Sequence, residues 1–173
     1  MAEAMLRARA ESRGLNIATT SRGLALVDRA ATHEAVAAAA RHGADARHHR
    51  SAILDRNAVG DADLIIGMER QHVREAVVLE RAALGHAFTL KELIRRGDDA
   101  GPRRAGEALG AWLERVGEGR VPTDLLGEAV EDEVADPFRR PKADYERCAD
   151  EISILLDRLL ELAWPPERAE GAA

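Results

Sequence analysis

Ala62-Asp-Leu-Ile-Ile-Gly-Met68 is the stretch on which the fold turns. A short apolar run between polar flanks predicts a strand buried on both faces of a parallel sheet. Downstream, residues 70–81 read as a helix, Ala87-Phe-Thr-Leu90 as a second short strand, and a further helix starts near Lys91. Upstream, Thr32 is the N-cap of an alanine-rich helix that runs to His42 and stops at Gly43. Before that, Leu15-Asn-Ile-Ala-Thr-Thr20 alternates and carries β-branched residues, which predicts another strand. Residues 1–13 are rich in Ala, Glu, Arg, Met and Leu, all strong helix formers, and Gly14 ends that helix.

Towards the C-terminus, residues 97–120 hold a charged loop and a helix around 107–116. Five of the nine residues from 128 to 136 are acidic, which predicts a solvated loop rather than a packed element. Pro141 then opens a long helix over 143–163. Its Tyr145, Cys148, Ile152, Leu155, Leu159 and Leu162 fall on one apolar stripe. Pro165 and Pro166 end it, and residues 165–173 read as a disordered tail. Alternation of helix and strand predicts an α/β, three-layer sandwich with a parallel sheet flanked by helices. Residues 1–164 form one domain, as the 173-residue length allows.

A formal charge of −6 gives no reason to expect nucleic acid as a partner. No run approaches the ~20 apolar residues needed to cross a bilayer, so no membrane contact is expected. The first ten residues scatter charge and hold no apolar core, unlike a signal peptide. The single cysteine, Cys148, excludes an intramolecular disulfide and fits a reducing cytoplasm. The six histidines match no zinc spacing, and metal is not expected. The sequence assigns no oligomeric state.

Four pieces in order resemble the low-molecular-weight protein tyrosine phosphatases, a family that also includes one class of arsenate reductases. Met1-Ala-Glu-Ala with Gly14-Leu15 is similar to the helix that follows the family's C-x5-R-S-P loop. His42-Gly-Ala-Asp45 with His49-Arg-Ser51 resembles its HGID…HRAR stretch. Residues 62–68 with Glu69-Arg-Gln-His72 resemble its third strand and following helix, and Val134-Ala-Asp-Pro-Phe138 ahead of Tyr145-Glu146 resembles its D-P-[YF] loop. Residues 97–120 are longer than in compact members and read as a helical insertion.

The resemblance implies hydrolysis of phosphotyrosine-type monoesters, on phosphorylated proteins or small phosphomonoesters, through a phosphocysteine and without a cofactor. It also implies roles. Asp136 matches the general acid that protonates the leaving oxygen and later serves as base for water. Pro137 restricts Asp136 to extended backbone, and Phe138 walls the mouth of the substrate site. Taken alone, Asp136-Pro137 is more often merely a turn, and the family resemblance reverses that reading. The basic Arg139, Arg140 and Lys142 could attract a phosphorylated substrate, or be ordinary solvated charge.

The nucleophile is a different matter. Six residues after Cys148 stands Ile154, so C-x5-R fails, and Asp150 and Glu151 oppose a thiolate there. Its place on the apolar stripe reads as a core cysteine. The sequence therefore predicts an N-terminally truncated, inactive family member without the loop and without the first, central strand of the sheet. Unpaired backbone groups beside that strand, at ~1–3 kcal/mol each, predict poor stability. Alternatives are a non-catalytic relative that acts as a protein-binding module, an arsenate reductase-like protein, and an unrelated helical binding protein.

Overall fold

The computed structural model describes residues 1–25, 27–127 and 130–166. Its frame is a parallel pair of short strands, β1 (Ile65–Gly67) and β2 (Ala87–Thr89), paired Ile65 with Ala87, Ile66 with Phe88 and Gly67 with Thr89. Strand side chains alternate between faces, and here the alternation separates two cores. Ile65 and Ala87 pack with Val59, Val73, Ala76 and Leu125. Ile66 and Phe88 face the larger cluster of Leu93, Trp112, Leu113, Ile152, Leu156, Leu159 and Leu162. A thin parallel sheet with helical layers on both sides is the predicted architecture.

The helices are α1 (Ala2–Ser12), α2 (His33–Ala40), α3 (Arg56–Gly60), α4 (Arg70–Leu79), α5 (Leu90–Ala100), α6 (Leu109–Val116) and α7 (Lys142–Ala163). Their starts follow local chemistry. Thr32, Asp55 and Thr89 each accept a hydrogen bond from the N–H three residues on, capping α2, α3 and α5. Glu69 N–H donates to His72 Nδ1 at 3.1 Å at the start of α4. Gly67 lets β1 turn tightly into α4. A Cβ there would lie 3.0 Å from both Glu69 O and His72 Cβ.

Helix α7 packs against α5, α2 and α1 through the expected stripe. Tyr145, Cys148, Ile152, Leu159 and Leu162 are buried, Leu155 is partly buried, and Leu156 and Leu160 join them. The α6 region belongs to the main core, since Trp112, Leu113 and Val116 are buried there.

Two sequence expectations are corrected. Residues 15–20 do not form a strand. Extended backbone becomes a strand only when a ladder of hydrogen bonds meets it, and among the described residues this segment has no ladder partner. Pairing on that side is confined to single bridges, Gly23 with Ile53 and Ala30 with Arg50. The acidic stretch is not simply solvated either. Within it, Asp132 and Val134 are buried, while Glu128 and Ala129 lie outside the described residues. The expected C-terminal tail falls largely outside as well, at 167–173; Pro165 and Pro166 follow α7 without regular structure.

Candidate functional site

The carboxyl end of a parallel strand is where α/β folds expose loops to ligands. Past the end of β1, Met68 O accepts the N–H of Val134 at 2.8 Å, tying the 130–138 loop to the sheet. Asp132 strengthens that tie. Its two carboxylate oxygens each lie 3.1 Å from Arg95 Nη2 of α5, and Oδ2 is 3.6 Å from Arg70 Nη2 of α4. The Arg70 N–H also donates to Glu133 Oε1 at 3.2 Å. One buried carboxylate between two arginines thus fixes the loop against two helices.

Asp136 lies on the exposed part of this loop, and its Oδ1 accepts the Phe138 N–H at 3.0 Å. Phe138 is half exposed. Both candidates therefore sit at the surface. Cys148, on α7, is buried in the main core. Burial pushes its thiol up to about 11, with Glu151 and Asp136 adding to the rise and the Met1 ammonium opposing it. Asp136, Cys148 and the start of α1 thus share one corner of the molecule. A thiol held neutral in this way is a poor nucleophile at neutral pH.

An open cleft of about 460 Å³ lies next to that corner, between α1, residues 19–22 and residues 45–50. Its centre is Glu3. That carboxylate pairs with Arg7, accepts from Ser21 Oγ at 2.5 Å and lies 3.4 Å from His49 Nδ1. At the rim, the Arg47 side-chain hydrogen bond holds Asp45 well below the usual carboxylate range. Thr19 Oγ1, in the lining, is buried without a hydrogen-bond partner. Asp136 and Phe138 are not part of the lining. Sequence reasoning did not find this cleft, because its walls come from three segments far apart in the chain. The signals towards it were the resemblances of Met1-Ala-Glu-Ala and of residues 42–51, which line part of it.

Among the described residues no three His, Cys, Asp or Glu side chains converge as a metal set. Two of the histidines have other partners: His42 Nε2 lies 3.0 Å from Asp150 Oδ1, and His72 Nδ1 accepts the Glu69 N–H at the start of α4. No described helix is long and apolar enough to cross a membrane.

The comparisons with known proteins concern family and fold. The family model described as Low molecular weight phosphotyrosine protein phosphatase matches residues 1–101. The chain is similar to the crystal structure of a low molecular weight protein tyrosine phosphatase from T. tengcongensis, with 25% identity and a TM-score of 0.67 over 92% of this chain and 87% of that one. A solution structure of such a phosphatase from Bacillus subtilis also has 25% identity and a TM-score of 0.67, covering 96% and 89%. A YwlE arginine phosphatase, a cysteine-to-serine mutant with a phosphorylated active site serine, has 26% identity and a TM-score of 0.65, covering 93% and 84%. No curated protein matches the sequence.

Proposed function

Since the chain belongs to the low molecular weight phosphotyrosine protein phosphatase family, we propose that it is the body of an enzyme hydrolysing phosphotyrosine-type monoesters by way of a phosphocysteine. The observation that carries this reading is the anchoring of the Asp136 loop to the carboxyl end of β1, with the Asp136 carboxylate and the Met1 ammonium both near enough to act on the Cys148 thiol. A helix N-terminus stabilises a bound phosphate and a thiolate alike, so a carboxyl group at the same corner can protonate the departing oxygen.

The step runs as follows. A thiolate attacks phosphorus, the P–O bond to the leaving group breaks, and Asp136 donates its proton to that oxygen. Asp136, now a carboxylate, takes a proton from water as the water attacks the phosphocysteine and releases the thiolate. Phe138 flanks the leaving group at the rim. The attacking thiolate is not Cys148, which is buried and has Ile154 where an arginine would clamp the phosphoryl oxygens. In this reading the nucleophile is supplied from outside these 173 residues, by a C-x5-R loop encoded in frame upstream, and the chain by itself is inactive. The α6 region is a helical insertion into a domain of residues 1–164, and the enzyme works in the reducing cytoplasm.

Reading the upstream genomic sequence is the first test. A strand followed by C-x5-R-[ST]-P is expected, and its absence would favour a non-catalytic binding module. The longer chain is then assayed on phosphotyrosine and phosphoarginine peptides, because similar structures include arginine phosphatases. Turnover of phosphotyrosine is expected. Turnover of phosphoarginine alone would reassign the substrate, and turnover of arsenate alone would indicate a reductase.

A further inference from the structure

The turn that follows Asp136 carries an unusual residue. Arg140 N–H donates to Pro137 O at 2.9 Å, closing a turn whose third residue, Arg139, has φ +62°. A positive φ at that position alone is the type II pattern, which favours glycine. An L side chain there is strained, and strain of this kind persists where the surroundings enforce it, often at functional sites.

The strained backbone sets the Arg139 guanidinium 5.3 Å from the centroid of the Phe138 ring. That is within stacking range. Arg140 follows, and the Lys142 ammonium is mostly exposed, 3.5 Å from Glu146. Neither Arg139 nor Arg140 has a carboxylate within 4.0 Å among the described residues, although the whole chain carries a net −6. A cationic rim is therefore concentrated directly after Asp136 on an acidic protein. Its Arg139 and Arg140 lie at the surface within four residues of Asp136, the group assigned to the leaving oxygen of a phosphorylated residue.

We propose that Arg139, held over Phe138 by this turn, with Arg140 beside it, selects phosphoprotein segments carrying Asp or Glu next to the phosphorylated residue. The inference rests on the phosphatase reading and names its substrate class. An exposed guanidinium–carboxylate contact is weak, so the selectivity is modest. Two such contacts give roughly a three- to tenfold preference in KM, and the preference falls as salt rises.

The test uses the longer chain carrying the upstream loop and two phosphotyrosine peptides that differ only in aspartate or serine flanks. Wild type should show the lower KM for the aspartate peptide. In Arg139→Gly the ratio of the two KM values should fall towards one, while relief of the strained turn keeps the melting temperature at or above that of wild type. Arg140→Ala should lower the ratio further. A merely structural role would move both KM values together. A ratio unchanged in Arg139→Gly, with the serine peptide still hydrolysed, overturns this inference alone. Failure of wild type to hydrolyse either peptide overturns the phosphatase reading and this inference with it.

Discussion

Replacing Arg120 by methionine should remove a large part of the stability of this domain. The Arg120 side chain is only 3% exposed, and its guanidinium lies 3.9 Å from the centroid of the Phe88 ring. It donates to Glu92 Oε1 at 2.9 Å and to the carbonyls of Leu84 at 2.5 Å and Ala87 at 2.8 Å. One side chain thus joins the segment after α6 to the entry of β2 and the first turn of α5. Methionine keeps the stem packed on Phe88 but supplies no donor. The two carbonyls then go unpaired, and Glu92 keeps only Arg96, whose Nε is 3.2 Å away. Removing one partner of a buried pair costs ~3–5 kcal/mol, and the remaining Arg96 contact puts the expected loss near the low end, about 3 kcal/mol. Against a typical total of ~5–15 kcal/mol, that is a large fraction. Urea unfolding followed by far-ultraviolet circular dichroism measures it. Glu92→Gln in the Arg120→Met background should then cost less than Glu92→Gln alone, because no buried guanidinium remains to be left unpaired. A loss below ~0.5 kcal/mol for Arg120→Met, or strict additivity in the double variant, would refute the buried-pair reasoning.

Three further outcomes follow from the same contacts. Burial raises the Cys148 thiol in the folded state from 9.0 to about 11. The unfolded chain therefore releases this proton first, and stability should fall as pH rises from about 9 to about 11, by roughly 2–3 kcal/mol. Cys148→Ala should flatten that part of a pH–stability curve, and Cys148 should react with a thiol reagent at pH 8 only on unfolding. Asp132→Ala strips Arg95 and Arg70 of their shared carboxylate and should cost ~2–4 kcal/mol. Hydrogen exchange should show lost protection at Val134, whose N–H is bonded to Met68 O. At Gly97 an added Cβ would lie 3.0 Å from Leu162 Cδ1 and 3.3 Å from Trp112 Cζ2. Gly97→Val should therefore lose ~1–3 kcal/mol, read as a lower melting temperature.

What the sequence disclosed was local. Thr32 capping α2, the apolar runs at 62–68 and 87–90, and the stripe of α7 each rest on residues within a few positions of one another, where periodicity and capping act. Helix α3 went unread although Asp55 caps it, because five residues give too short a pattern for periodicity. The misreadings came from partners far along the chain. Residues 15–20 have the composition of a strand, but composition does not supply the neighbouring strand that makes one. Asp132 looked solvated among its acidic neighbours, yet its cations are Arg95 and Arg70, each dozens of residues away. The roles proposed for Asp136 and Phe138 rest on resemblance alone, since no local pattern assigns them. The cleft around Glu3 is assembled by the fold from separate segments, two of which, Met1-Ala-Glu-Ala and residues 42–51, carried the resemblance without showing that they meet.

Hydrolysis of phenyl phosphate by the longer, loop-bearing chain and by its Asp136→Ala variant tests the account most directly. Phenolate is a poor leaving group, so its departure depends on the proton that Asp136 is assigned to give. The account predicts that kcat falls by ~10²–10⁴-fold in the variant, the usual worth of a positioned general acid. A variant that turns over phenyl phosphate at the rate of the unmodified chain would contradict it.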